Sequence, residues 1–212
     1  SPDAALAEIE ITTYRAEGKY TDKRHPDEVQ YAQTLEEDLS RRDFTINAMA
    51  IDDGSLQTKS GKDSRLSLEC VIDPFGGQED LKKKLIRAVG DADTRFGEDA
   101  LRMMRAVRLA TELDFTIEEA TMAAIRKNAD AFAFVSSERI RDELIKLFLA
   151  AKPRRGIEIL HETGLLRHII PELEQGIGMV NRPKYLTVWE HNLKALEYAA
   201  HAKYPLDARI AA

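Results

Sequence analysis

Three arginines at every third position, Arg102, Arg105 and Arg108, continue the three-residue spacing from a carboxylate, Asp99. They lie in a run from Gly97 to Leu113 that contains no Pro and no further Gly. The run is built of Ala, Leu, Met and Arg, which are strong helix formers, so it predicts a helix over 97–113. At about 100° per residue, Asp99 and the three arginines fall on one half of the cylinder. Ala100, Leu101, Met103, Met104, Val107 and Ala110 fall on the other, with Leu109 as the exception. One reading is a solvated face with i,i+3 ion pairs. The other is a ligand. Guanidiniums at this spacing repel one another unless something anionic lies along them, and Arg suits bidentate phosphate contact. A nucleotide would meet both needs, with phosphates for the guanidiniums and a base edge for Asp99 and one Arg.

A second set lies between Leu35 and Ala50. Phe44, Ile46 and Met49 are apolar, whereas Arg41, Arg42, Asp43 and Asn47 are not. Asp43 and Asn47 are four apart and share a face if the segment is helical. Adjacent arginines at a helix start suit an anion, since backbone N–H groups point the same way there. The alternative is a capped surface helix with Asp43 as the cap. Further upstream, Leu6 to Arg15 reads as a strand, with Ile9 and Ile11 alternating with Glu8 and Glu10. The two glutamates are either the wet face of an edge strand or a metal-binding carboxylate on a central one. Asp91-Ala92-Asp93 reads as a polar turn rather than a metal dyad, and His25 as a loop histidine.

The elements that must position these groups follow from pattern. Ala16 to Glu28 is a loop. Ile51 to Cys70 is a loop or hairpin around a strand candidate, Arg65 to Ile72. Asp73-Pro74-Phe75-Gly76-Gly77 is a turn by its chemistry. Lys82, Lys83, Lys84 and Arg87 flank Leu85 and Ile86 as a small basic cluster. From Phe96 onward the pattern is helical. Helices are expected over Ile117 to Asn128, Ser137 to Ala150 with Ser137 as cap and Pro153 closing it, Ile157 to Thr163, and Thr187 to Lys203. Leu165 to Pro171 makes a short apolar connection.

Composition excludes some classes. The chain has 212 residues, 43% hydrophobic and 32% charged, which is ordinary for a globular protein. No apolar run is long enough to span a membrane, and no charged-then-apolar leader is present. One cysteine, Cys70, makes neither an internal disulfide nor a Cys-based zinc site, so the cytoplasm is the expected compartment. A net charge of −6 argues against a generic nucleic-acid coater but leaves room for a local basic strip.

Four motifs in order resemble the bacterial-type (class II) family of tRNA CCA-adding nucleotidyltransferases and poly(A) polymerases. Ser40-Arg41-Arg42-Asp43-Phe44-Thr45-Ile46-Asn47-Ala48-Met49-Ala50 resembles the family's second motif. Asp73-Pro74-Phe75-Gly76-Gly77 resembles its flexible-loop motif, Glu98-Asp99-Ala100-Leu101-Arg102 its base-selecting motif, and Ser137-Glu138-Arg139-Ile140 its final helical motif. The resemblance runs to about Ala150, and four ordered motifs together are specific. It implies template-independent addition of C and A from CTP and ATP to a tRNA 3′ end, with Mg2+ as cofactor and no membrane partner. Asp99 and Arg102 would then select the base. Cytosine and adenine both place an amino donor beside a ring-nitrogen acceptor. A carboxylate only accepts and a guanidinium only donates, so this pair fits both bases and rejects guanine and uracil. Arg42, Arg105 and Arg108 would hold the triphosphate or sugar, supported by Asp43 and Asn47.

The resemblance also has gaps. The family's first motif, a Gly-Gly loop and a strand with two metal-binding aspartates, is not found, so those ligands are not placed. Glu10 matches where a third catalytic carboxylate sits. The expectation is therefore a fragment, inactive by itself. Val188 to Leu196 resembles the start of an HD-type metal phosphohydrolase domain, with His191 as its first ligand. The expected fold class is α+β, a truncated nucleotidyltransferase-type mixed β-sheet head followed by an all-α region. The expected divisions are a head over 1–92, a helical neck over 93–152 and a helical body over 153–212. A poly(A) polymerase of the same family, a nucleotide- or RNA-binding remnant and an HD phosphohydrolase fragment are the alternatives. Oligomeric state is left open.

Overall fold

The computed structural model describes residues 34–51, 71–180 and 186–211. The strand expected over Leu6 to Arg15, with Glu10, the loop with His25 and most of Ile51 to Cys70 lie outside the described residues. Ten α-helices are described, with four two-residue strands among them. The architecture is the α+β class expected, with helices dominant.

The described residues open with α1 (Leu35–Ser40), whose N-terminus carries a capping box between Thr34 and Glu37. A 3-10 turn, Thr45–Asn47, follows, then β1 (Ala50–Ile51), paired antiparallel with β2 (Val71–Ile72). In the turn Asp73–Gly77, the Asp73 carboxylate accepts from the N–H groups of Gly77 at 2.7 Å and Gln78 at 2.9 Å. Gly76 takes φ 76°, a left-handed conformation that glycine adopts without Cβ strain. The motif is thus a capped turn that launches α2 (Gly77–Lys83). Lys84 ends α2 in the left-handed region, and the chain enters β3 (Leu85–Ile86).

One buried carboxylate ties these pieces together. Asp80 on α2 is 2% exposed and accepts from Thr45 Oγ1 at 2.6 Å and Arg87 Nε at 2.8 Å. So the basic cluster read in the sequence is split. Arg87 turns inward to Asp80, while Lys83 pairs with Glu79 on the surface. Asp80→Ala strands the buried Thr45 hydroxyl and removes the partner of Arg87. We expect a loss of about 2–4 kcal/mol, read as a lower urea midpoint, and a smaller loss for Asp80→Asn, which keeps an acceptor for Thr45.

The helical part opens with α3 (Ala92–Glu98), α4 (Leu101–Leu113), β4 (Thr116–Ile117) and α5 (Glu119–Asn128). β4 lies parallel to β3, pairing Leu85 with Thr116 and Ile86 with Ile117. α6 (Ser137–Leu149), α7 (Pro153–Glu162), α8 (Pro171–Gln175), α9 (Val188–His201) and α10 (Leu206–Ile210) complete the order. The core gathers on α4, where Met103, Met104, Ala106, Val107 and Ala110 are fully buried. Leu109 packs partly buried against the same core, although it sits on the polar half of the sequence wheel. Gly156 lets α7 approach closely: a Cβ there would lie 2.7 Å from Thr111 Oγ1 and 2.9 Å from Leu147. Asp114 caps the α4 end in the left-handed region and pairs with Lys152 and Arg155. The Lys152 hydrogen bond, with help from Arg155, holds its carboxyl below the usual carboxylate range.

Five expectations are corrected. The helix expected over 97–113 is two helices, broken at Asp99 and Ala100, because Asp99 is extended (φ −146°, ψ 105°). The arginines Arg41 and Arg42 follow the C-terminus of α1 rather than opening a helix, where the helix dipole favours cations. Asp43 and Asn47 meet through the 3-10 turn, not an α-helical face. At α6, Ser136 occupies the cap position and makes no side-chain cap bond, and Pro153 opens α7, where a missing N–H costs nothing. Among the described residues no helix is long and apolar enough to cross a membrane.

Candidate nucleotide site

The break between α3 and α4 creates the site. Asp99 leaves α3 in extended conformation, and its Oδ1 then accepts from Leu101 N at 3.1 Å, stabilising the start of α4. Its two oxygens also receive Arg139 of α6, from Nη1 to Oδ1 at 3.1 Å and from Nη2 to Oδ2 at 2.6 Å. The side chains stay partly open, 26% for Asp99 and 37% for Arg139. Arg139 stands inside the fourth motif, but its role as partner of Asp99 is not visible from spacing alone. The two lie at a cavity of about 170 Å³, shared with Phe96, Asn128 and Ser136.

Arg102 points toward the head. It donates from Nη2 to the carbonyl of Arg41 at 3.1 Å and from Nη1 to the carbonyl of Arg95 at 3.2 Å, and pairs with Glu98. It is 12% exposed, so its guanidinium is held rather than waving in solvent. One turn on, Arg105 Nη2 approaches Asp43 Oδ2 at 2.8 Å. Asp43 is buried, and its Oδ1 accepts from Phe44 N at 2.9 Å and Asn47 Nδ2 at 3.2 Å. Arg105 Nε and Asp43 Oδ2 have no hydrogen-bond partner among the described residues, so their contact is an ion pair out of hydrogen-bond alignment.

Asp38 was not singled out in the sequence. It is buried and holds both arginines of the second motif, Arg41 at its Oδ1 and Arg42 at its Oδ2, the latter at 3.2 Å. α1 starts at the Thr34 capping box and ends at Ser40, so Asp38 lies three and four residues before the two arginines, within reach of both. Arg42 is 45% exposed and also reaches the Asn47 carbonyl at 3.4 Å. The structure therefore brings Arg42, Asp43, Asn47, Arg102 and Arg105 to one seam between the head and α4. Arg108 lies apart. It is 12% exposed and bound to Glu143 of α6 and to Glu112, so it joins α4 to α6.

A larger cavity of about 630 Å³ lies between α3 and α5, lined by Arg87, Asp91, Asp93, Lys127 and several alanines. Its charges are already engaged. Asp91 caps α3 and accepts from Thr94, which lowers its pKa, and Asp93 is held below the usual range by Lys127 and Asn128. The seam, by contrast, carries two buried polar atoms without a hydrogen bond among the described residues, Asp43 Oδ2 and Arg105 Nε. Among the described residues no group of three or more His, Cys, Asp or Glu side chains converges as a metal site. His191 is an exposed side chain on α9.

Residues 3–87 match the poly A polymerase head domain, and residues 114–177 match the probable RNA and SrmB-binding site of polymerase A. The CCA-adding enzyme of Geobacillus thermodenitrificans is 42% identical over 180 residues, 85% of this chain and 41% of that enzyme. The CCA-adding enzyme of Lactobacillus johnsonii is 48% identical over 161 residues, 76% of this chain and 37% of that enzyme. Among solved structures, the Bacillus stearothermophilus CCA-adding enzyme in complex with CTP matches with a TM-score of 0.65 at 34% identity, over 93% of this chain and 48% of that one. A tRNA nucleotidyltransferase complexed with a primer tRNA and an incoming ATP analog matches with a TM-score of 0.59 at 28% identity, over 83% and 47%. The chain thus spans about two fifths of the length of the curated relatives it matches. With the four motifs in order and the two matched segments, 3–87 and 114–177, on either side of the α3–α4 corner, the chain belongs to the family of CCA-adding nucleotidyltransferases and poly(A) polymerases.

Proposed function

We propose that this chain is part of an enzyme that adds C and A to the 3′ end of tRNA without a nucleic-acid template, taking CTP and ATP. The observation that carries the reading is the α3–α4 corner. There a partly open carboxylate, Asp99, sits three residues from a held guanidinium, Arg102, beside the head seam of Arg42, Asp43, Asn47 and Arg105. Asp99 supplies acceptors and Arg102 donors for the base edge that C and A share. Arg42 and Arg105 supply cations for the triphosphate. Arg108, assigned to the same task by the motif, reaches it only by leaving Glu143. The relatives named CCA-adding enzyme support this reading over a poly(A) polymerase.

The division proposed is a head over 1–92, a neck over 93–152 and a body over 153–212. The matched segments, 3–87 and 114–177, support a boundary between them. Mg2+ and a catalytic role for Glu10 belong to the proposal through the family. The described residues offer no converging metal ligands, so no step is assigned to the ion. A cytoplasmic location and an HD-type continuation from α9, with His191 as first ligand, are proposed on the same footing.

The test is titration of the chain with each of the four nucleoside triphosphates and with a tRNA transcript, with and without Mg2+. CTP and ATP are expected to bind at least 10-fold more tightly than GTP and UTP, since each mismatched buried pair costs about 1–3 kcal/mol. Equal affinity for all four sinks the base-reading role. Extension stopping after three nucleotides, measured on the enzyme at its natural length, separates CCA addition from poly(A) synthesis.

A further inference from the structure

One side of α9 carries a stripe without carboxylates. Lys194, Tyr198 and His201 are all exposed, and their spacing places them within roughly 60° of arc over about 10 Å of helix. The opposite side of the helix is anchored: Leu193, Leu196, Ala199 and Ala200 are buried. The stripe is therefore displayed on a fixed support.

At its end the stripe meets a second aromatic ring. Tyr198 is 68% exposed and Tyr204, across the turn into α10, is 46% exposed. Their centroids are 6.3 Å apart at 81°, an edge-on pair that leaves most of the Tyr198 ring open. Lys203, between them in sequence, is exposed in a left-handed conformation at φ 56°. The acids that border the stripe have partners in the surrounding structure, and Glu190 is also drawn to Lys194. Glu190 accepts from Thr187 in the cap of α9, and Glu197 accepts from Arg154 at 3.2 Å. In a chain of net charge −6, this is a local concentration of cation and aromatic ring.

We propose that this stripe is an RNA contact separate from the nucleotide site. Lys194 and Lys203 meet phosphates, and the Tyr198–Tyr204 pair gives an unstacked base a platform. Cations interleaved with open aromatic rings are the pattern by which proteins track a nucleic-acid strand with little sequence preference. Charge complementarity selects a polyanion as the occupant. The inference rests on the reading above that RNA is the acceptor.

The experiment is binding of a fluorescently labelled tRNA transcript, by anisotropy at several salt concentrations, with CTP affinity measured in parallel. Tyr198→Ala with Tyr204→Ala is expected to weaken RNA binding about 10-fold or more. Tyr198→Phe with Tyr204→Phe stays within about 2-fold, because the rings remain. Lys194→Ala with Lys203→Ala is expected to weaken binding and flatten the salt dependence by about 1.5 in log–log slope. CTP affinity is unchanged in every variant. A parent chain that binds no RNA overturns the acceptor reading and this inference together. A parent that binds RNA, with the alanine or lysine variants unchanged, overturns this inference alone. If the alanine pair lowers the melting temperature, the lysine pair decides, and an unchanged RNA affinity there counts against the proposal.

Discussion

Replacing Asp99 by alanine in the enzyme at its natural length raises the use of GTP and UTP relative to CTP and ATP by about 10- to 100-fold. The size follows from the base-reading role proposed for the carboxylate. It only accepts, so it complements the amino groups of cytosine and adenine and opposes the carbonyls of guanine and uracil. An unmatched pair costs about 1–3 kcal/mol, and about 1.4 kcal/mol is a factor of ten. Folding loses about 1 kcal/mol with the Leu101 N–H bond at the start of α4, and little more, because Arg139 is 37% exposed and can hydrate when its partner goes. Arg102→Ala has the same direction but a mixed cause. It removes the donor to the ring nitrogen, and it also frees the carbonyls of Arg41 and Arg95 that hold α4 against the head. Glu98 keeps Arg95 as a partner, so no carboxylate is stranded. Asp99→Ala is thus the cleaner test, and kcat/KM for each of the four nucleotides is the measurement. Wild-type preference in both variants means that the base is read elsewhere.

The same residues show what sequence pattern can and cannot reach. The apolar stripes of α4, α6, α7 and α9 are periodic, and burial of one face is what makes such helices stable, so their placement was legible. The break at Asp99 was not. Ala, Leu, Met and Arg on both sides favour continuing the helix, and what stops it is a partner 40 residues away, Arg139. A local signal did exist, since Asp side chains bond nearby backbone in competition with a helix, and Oδ1 of Asp99 does bond Leu101 N two residues on. The direction of the Arg41–Arg42 pair was likewise available from Thr34 and Glu37, a capping box that starts α1 seven residues earlier. The surroundings of Arg108 were not legible for a different reason. Periodicity put it in line with Arg102 and Arg105, but the helix it faces, α6, offers Glu143. Which carboxylate a neighbouring helix presents is tertiary information, and a charge stripe on one helix does not contain it.

Gly77→Ala is expected to cost about 3 kcal/mol or more of stability, whereas Gly76→Ala, one residue earlier, costs about 1–2 kcal/mol. The two glycines serve different ends. Gly76 takes φ 76°, and an added Cβ there meets only the tip of the Arg87 side chain at 3.3 Å, so the loss is the strain of a left-handed conformation. A Cβ on Gly77 would lie 2.2 Å from the Thr45 carbonyl oxygen and 3.0 Å from Met49 Cγ. Neither can yield cheaply. Thr45 is tied to Asp80 through its hydroxyl and to the Arg87 carbonyl through its N–H, both at 3.0 Å or less. Overpacking against fixed backbone lies at or beyond the upper end of the usual 1–3 kcal/mol. For a chain of this length, 3 kcal/mol corresponds to a fall of roughly 6–12 °C in melting temperature. The displaced turn also carries Asn47 and adjoins Asp43, so the seam that faces Arg105 moves with it. Gly77→Ala should therefore lose nucleotide affinity at temperatures where it is still folded, and Gly76→Ala should not. A Gly77→Ala protein that melts within a degree of the parent and binds CTP normally would show that α2 does not press on the Thr45–Asn47 turn.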